Sequence, residues 1–132
     1  MKLEYLDNIS DSGRYKNVVS ENLIRLYDFN QKETKELADL IYQKIIVDKE
    51  KLELTSIEFI KPINCQLTLR LSTVDKGITK TDNEDLFMCD LTQQSYLTAI
   101  ECMKAAADGG YNWLCDTSND NIYFLYSIGG TW

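Results

Sequence analysis

In the run CQLTLRLS, residues 65–72, Leu67, Leu69 and Leu71 alternate with Gln66, Thr68, Arg70 and Ser72. A period of two puts the leucines on one side of an extended chain and cannot form one face of a helix, so the run is a strand. One side meets a core and the other meets water, the usual pattern of an antiparallel sheet. The rest of the chain must therefore supply pairing partners for this strand and a cover for its leucines.

Partners precede and follow it. Leu3 to Leu6 and Tyr15 to Val19 read as short strands about the polar stretch Asp7 to Gly13, making 1–21 an N-terminal hairpin or arm. Leu23 to Phe29 alternates again, with Ile24 and Leu26 against Arg25 and Tyr27. Asn30 then stands three residues before Glu33, the spacing of a capping box, and the glutamate also sits at the positive end of the helix dipole. Leu37, Leu40, Ile41 and Ile45 share one side of the helix that follows, Lys32, Glu36, Asp39 and Lys44 the other, with an end near Asp48.

LELTSIEFI alternates at Leu52 and Leu54 and changes parity at Ile57 and Phe59, which predicts a strand with a bulge near Thr55 and Ser56, while Pro62 ends it or lies on an edge. TVDKGITKTDNED reads as a polar loop and LFMCDL as a strand. Thr92 caps a second helix whose buried stripe is Tyr96, Ile100, Met103 and Ala107, stopped at Asp108-Gly109-Gly110.

YNWLCD and NIYFLYSI make two further strands joined by TSND. Tyr111, Trp113 and Cys115 share a face by simple alternation, and Ile122, Phe124, Tyr126 and Ile128 share another, with Tyr123 and Leu125 behind them. Most of these rings are expected to fill the interior beneath the helices, which leaves the second face, with Gly129, Gly130 and Trp132, to be accounted for. Strands arriving in runs, without a βαβ series, give an α+β fold: an antiparallel or mixed sheet with two helices packed on one face, in one domain over 1–132.

At 132 residues the chain buries enough surface for a core without staples. It has no histidine and a net charge of −7, from 14 Lys and Arg against 21 Asp and Glu. Phosphate backbones and anionic membrane surfaces would be repelled, so neither nucleic acid nor membrane is an expected partner; the acidity serves solubility first and, as the sharper alternative, complementarity to a basic protein partner. No run of about 18 apolar residues is present to span a bilayer. MKLEYLDNISDSGRYK is polar where a secretory signal would be apolar, so the expected location is the cytoplasm.

Cys65, Cys89, Cys102 and Cys115 form no CxxC pair, and a reducing compartment keeps them free; they read as buried thiols, with no metal and no cofactor expected. Lack of imidazole removes the usual general base. In DTSNDN, Asp116, Ser118 and Asp120 alternate as in a calcium loop, but Asn121 stands where the sharp turn needs glycine and Ser127 where the bidentate glutamate belongs. Asp82, Glu84, Asp85 and Asp90 gather carboxylates in a run more typical of a solvated loop than of an acid–base pair. Neither GxGxxG nor GxxxxGK occurs, and enzyme activity is not expected.

RLYDFN with the capped helix carrying Glu33 and Leu37, then NCQLTLRL, DKGI, GGYNWL and GGTW, resembles a group of small bacterial proteins with no assigned activity. The resemblance covers Ile24 to Trp132 and implies a stand-alone bacterial domain; it brings no catalytic residue and no ligand. In size and acidity the chain is also similar to immunity proteins that neutralise toxic enzymes.

Three functions fit. The first is a non-catalytic protein-binding module, inhibitor- or immunity-like, with Tyr111, Trp113 and Trp132 as anchors near Asp116 and Asp120. The second is a small-molecule binder or enzyme with a carboxylate- or tyrosine-lined pocket. The third is a homo-oligomer held by edge strands or the spare aromatic face.

Overall fold

Asn30 opens the first helix as its spacing to Glu33 requires. Its side chain accepts from the Glu33 N–H at 2.8 Å and the Glu33 carboxylate accepts from the Asn30 N–H at 3.1 Å. In the computed structural model, which describes residues 1–7, 22–115, 120 and 122–132, this helix, α1, covers Gln31–Ile41. It continues as a π-helical turn over Tyr42–Val47, closed by the Asp48 N–H bonding to the Gln43 carbonyl at 2.9 Å. The Tyr15–Val19 strand expected from sequence lies outside the described residues.

The strands are β1 (Lys2–Leu6), β2 (Asn22–Tyr27), β3 (Leu52–Glu53), β4 (Lys61–Pro62), β5 (Gln66–Leu71), β6 (Gly77–Lys80), β7 (Leu86–Leu91), β8 (Tyr111–Cys115) and β9 (Ile122–Ser127), with α2 over Gln93–Ala107. The fold is α+β, and the strands divide between two mixed sheets: β4-β1-β2-β9-β8 and β3-β5-β7-β6. In the first sheet β2 and β9 run parallel, in register Ile24 to Phe124 and Leu26 to Tyr126. In the second, β5 pairs antiparallel with β3 and parallel with β7. The parallel pairing explains why the polar side of β5 is not wholly wet. Thr68 is buried there, and Arg70 reaches across to Asp90 with Nε–Oδ1 and Nη2–Oδ2 distances of 2.7 and 2.8 Å.

One core fills the space between the sheets and the helices. Leu3, Ile24, Leu26, Phe124 and Tyr126 enter it from the first sheet, Leu67, Leu69, Phe87 and Cys89 from the second, and Leu37, Ile41, Ile100 and Met103 from the helices. Helix α2 lies against β8, where Asn112 Nδ2 donates to the Cys102 carbonyl at 2.9 Å. Tyr96 ties the same helix to the second sheet, its hydroxyl donating to the Arg70 carbonyl at 2.6 Å with the Cys89 carbonyl 3.0 Å away. Thr34 and Tyr126 join α1 to β9 through a buried hydroxyl pair 2.7 Å apart.

Four local readings are corrected. LELTSIEFI does not hold a long strand: after the two residues of β3 the chain makes a 3-10 turn over Leu54–Ser56, which buries both Leu54 and Ile57 and so explains the parity change. The polar run after β5 contains β6, which pairs with β7 and sends Ile78 into the core. The second helix buries Ala99 and Ala106 with its longer side chains, Ala107 being only partly covered. Finally, an irregularity between Trp113 and Cys115 breaks the alternation of β8: Trp113 opposes Leu125 while Cys115 opposes Phe124, so Cys115 turns into the core and leaves the face it was expected to share.

Candidate functional site

The first sheet has a second side, and side-chain alternation fixes what stands on it. Leu23, Arg25 and Tyr27 of β2 point opposite to the core residues Ile24 and Leu26, and Tyr123, Leu125 and Ser127 of β9 lie beside them in register. Leu6 and Glu4 of β1 flank one side, Tyr111 and Trp113 of β8 the other. At one end Leu6, Leu23, Leu125, Trp113, Tyr123 and Trp132 pack into a cluster separate from the main core. Leu23 and Leu125 are fully buried in it while the rings remain partly open.

Trp113 is the centre of this cluster. Its ring lies 5.7 Å from Tyr123, at 86°, 5.7 Å from Trp132 and 6.4 Å from Tyr111, all within the range where edge-to-face contacts are attractive. The polar end is built around Arg25. Its Nε donates to Glu4 Oε1 at 3.0 Å, its guanidinium carbon stands 4.1 Å from the Tyr27 ring centre, and its Nη1 donates to the Gly130 carbonyl at 2.7 Å. These contacts hold residues 128–132 over the sheet. Ser127 Oγ donates to the Thr131 carbonyl at 2.6 Å, and the Ile128 carbonyl accepts from the Asp28 N–H at 3.0 Å. Gly130 adopts φ +78°, and a Cβ there would sit 2.8 Å from Arg25 Nη1 and 3.2 Å from the Tyr27 ring, so both backbone and space call for glycine.

Of the residues expected from sequence, Tyr111, Trp113 and Trp132 come together, and Tyr111 is 45% exposed. Asp120 is engaged elsewhere, since its Oδ2 accepts from the Lys80 N–H at 2.7 Å and stitches the approach to β9 onto β6 of the other sheet. Asp116 lies outside the described residues. Leu6, Leu23 and Arg25 complete the face without a sequence signal, because only the strand order brings them beside β9; Gly130, singled out with the second face in sequence, is held on it by Arg25. Tyr123 and Leu125 were legible by parity.

Elsewhere the carboxylates are dispersed. Asp90 pairs with Arg70, whereas Asp82, Glu84 and Asp85 are exposed. Among the described residues no three Cys, Asp or Glu side chains converge as metal ligands would. The gap among Leu26, Leu69, Leu91 and Tyr96 in the core is about 10 Å³, too small for an organic ligand. A groove of about 350 Å³ runs outside the helix pair, with Tyr42, Glu101 and Lys104 over Ala38 and Ile100; Asp39 on its wall is taken by Lys35 at 2.9 Å. Of the cysteines, Cys65, Cys89 and Cys115 are buried as expected, but Cys102 is half-buried. Burial pushes the Cys65 thiol up to about 12 and holds that of Cys89 well above the ordinary thiol range.

No helix among the described residues is long and apolar enough to cross a membrane. Compared with known proteins, the chain matches no family model and no curated sequence.

Proposed function

We propose that the chain is a non-catalytic protein-binding module that offers its outward aromatic face to a basic partner. One observation carries the reading: Trp113, Tyr123, Trp132 and Tyr111 stand ring to ring on the side of the first sheet opposite the main core. Large rings with part of their surface open are the usual energetic centre of protein interfaces. Residues 105–132 carry Asp108, Asp116 and Asp120 and no Lys or Arg, so the same region favours a cationic partner. An inhibitor- or immunity-like role fits an acidic domain of this size.

The test is affinity capture from a bacterial lysate with the intact chain and with a Tyr111→Ala, Trp132→Ala double variant as baits. Support is one basic protein held by the first bait, released by salt and absent from the second. A partner held equally by both baits, or none at any salt concentration, ends the proposal.

A further inference from the structure

Among the described residues the two sheets have four edge strands, and three are blunted. Strand β4 has two residues, one of them Pro62, and beyond it the Asn64 side chain occupies the Tyr5 N–H and carbonyl at 2.8 and 2.9 Å. Strand β3 also has two residues and is preceded by Lys51. Strand β6 has its Lys80 N–H taken by Asp120. Shortness, proline, lysine and a side-chain acceptor all discourage an added strand.

Strand β8 has none of these protections. Its five residues, YNWLC, include no charge and no proline. The Ile128 N–H bonds to the Gly110 carbonyl at 3.3 Å, which fixes the phase of the ladder: Asn112 turns its main-chain groups to Tyr126, while Tyr111 and Trp113 turn theirs away from β9. No described residue bonds to those outward groups. The strand is bracketed in sequence by Asp108 and Asp116, with Asp120 beyond and no cation from residue 105 onwards. A second copy would bring the same aspartates to the edge and a further −7 of net charge, so the charge favours a foreign, cationic strand.

We propose that the edge of β8 at Tyr111 and Trp113 takes up one extended segment of the partner, bearing lysine or arginine, as an added strand. This rests on the protein-binding reading and specifies its geometry. Main-chain bonds to Tyr111 and Trp113 hold the segment, while the side chains it turns outward meet the Tyr111 and Trp113 rings.

The experiment is amide exchange by NMR on the intact chain with three synthetic peptides of alternating valine and threonine: lysine-ended, glutamate-ended, and lysine-ended with the backbone N-methylated along both edges. The lysine-ended peptide should slow exchange of the Tyr111 and Trp113 amides by about tenfold, less so in high salt, and leave the Asn112 amide unchanged. The other two peptides should do neither. Movement of the Trp113 and Trp132 ring signals with both amides unaffected overturns the added strand but leaves the aromatic face as the contact. Slowing that grows with protein concentration in the absence of peptide overturns the cationic occupant in favour of a second copy. No slowing with any peptide overturns the inference outright, while failure of the protein-binding reading shows separately, in the capture experiment.

Discussion

Arg25 donates through Nη1 to the carbonyl of Gly130 at 2.7 Å, so a side chain from the second strand holds residues 128–132 against the outward face and with them the Trp132 ring. The aromatic face is thus assembled from three distant parts of the sequence. Its integrity depends on a glycine that carries no side chain to it.

Gly130→Ala should lower stability by about 1–2 kcal/mol, because alanine is strained at positive φ and its Cβ meets Arg25 and Tyr27. Urea unfolding measures the loss. Removing Arg25 by Arg25→Ala should in turn ease the Gly130→Ala defect, since the nearest clash is with its guanidinium.

Tyr126→Phe leaves Thr34 Oγ1 buried without its partner at 2.7 Å, and should cost about 1–3 kcal/mol although the stacking of residue 126 on Phe29 is kept. Thr34→Val in the same chain removes the stranded hydroxyl. The double variant should therefore be less destabilised than the sum of the singles, which a double-mutant cycle by urea denaturation reads directly.

Asp75 accepts from the Thr92 N–H and from Ser95 Oγ, both at 2.8 Å, and these bonds, the Thr92 N–H first, hold its carboxyl below the ordinary range. A carboxyl depressed in the folded state stabilises above its unfolded pKa and loses that contribution as pH falls through the folded value. The start of α2 should weaken below about pH 4, and Asp75→Asn should show a shallower fall in melting temperature over that range.

Cys102 should react first with iodoacetamide in the folded protein. Cys65, Cys89 and Cys115 are buried, and desolvation holds the Cys65 and Cys89 thiols protonated at neutral pH. Peptide mapping after brief labelling checks the order, and early modification of Cys89 would contradict the packing of the core.

Local chemistry made much of the fold legible. The Asn30–Glu33 cap, the Thr92 cap, the stop at Gly109-Gly110 and the alternation of β5 each act within a few residues, and each appears where the sequence places it. What failed depends on distance. Strand β6 has four residues and only Ile78 to mark it, so its existence rests on pairing with β7. Simple alternation put Cys115 beside Trp113, and the irregularity that parts them is a property of the β8–β9 ladder. The same limit explains the candidate site: its rings were visible in sequence, whereas Leu6, Leu23 and Arg25 join them only once β2 is known to lie beside β9.

Both tryptophans of the chain, Trp113 and Trp132, belong to the outward cluster, so tryptophan emission, excited beyond the tyrosine band, reports on this face. The direct measurement is emission and acrylamide quenching as the captured partner is titrated in, with binding followed independently by sedimentation. The account predicts a blue shift and reduced quenching that saturate with binding. A partner that sediments with the chain while emission and quenching stay unchanged would contradict it.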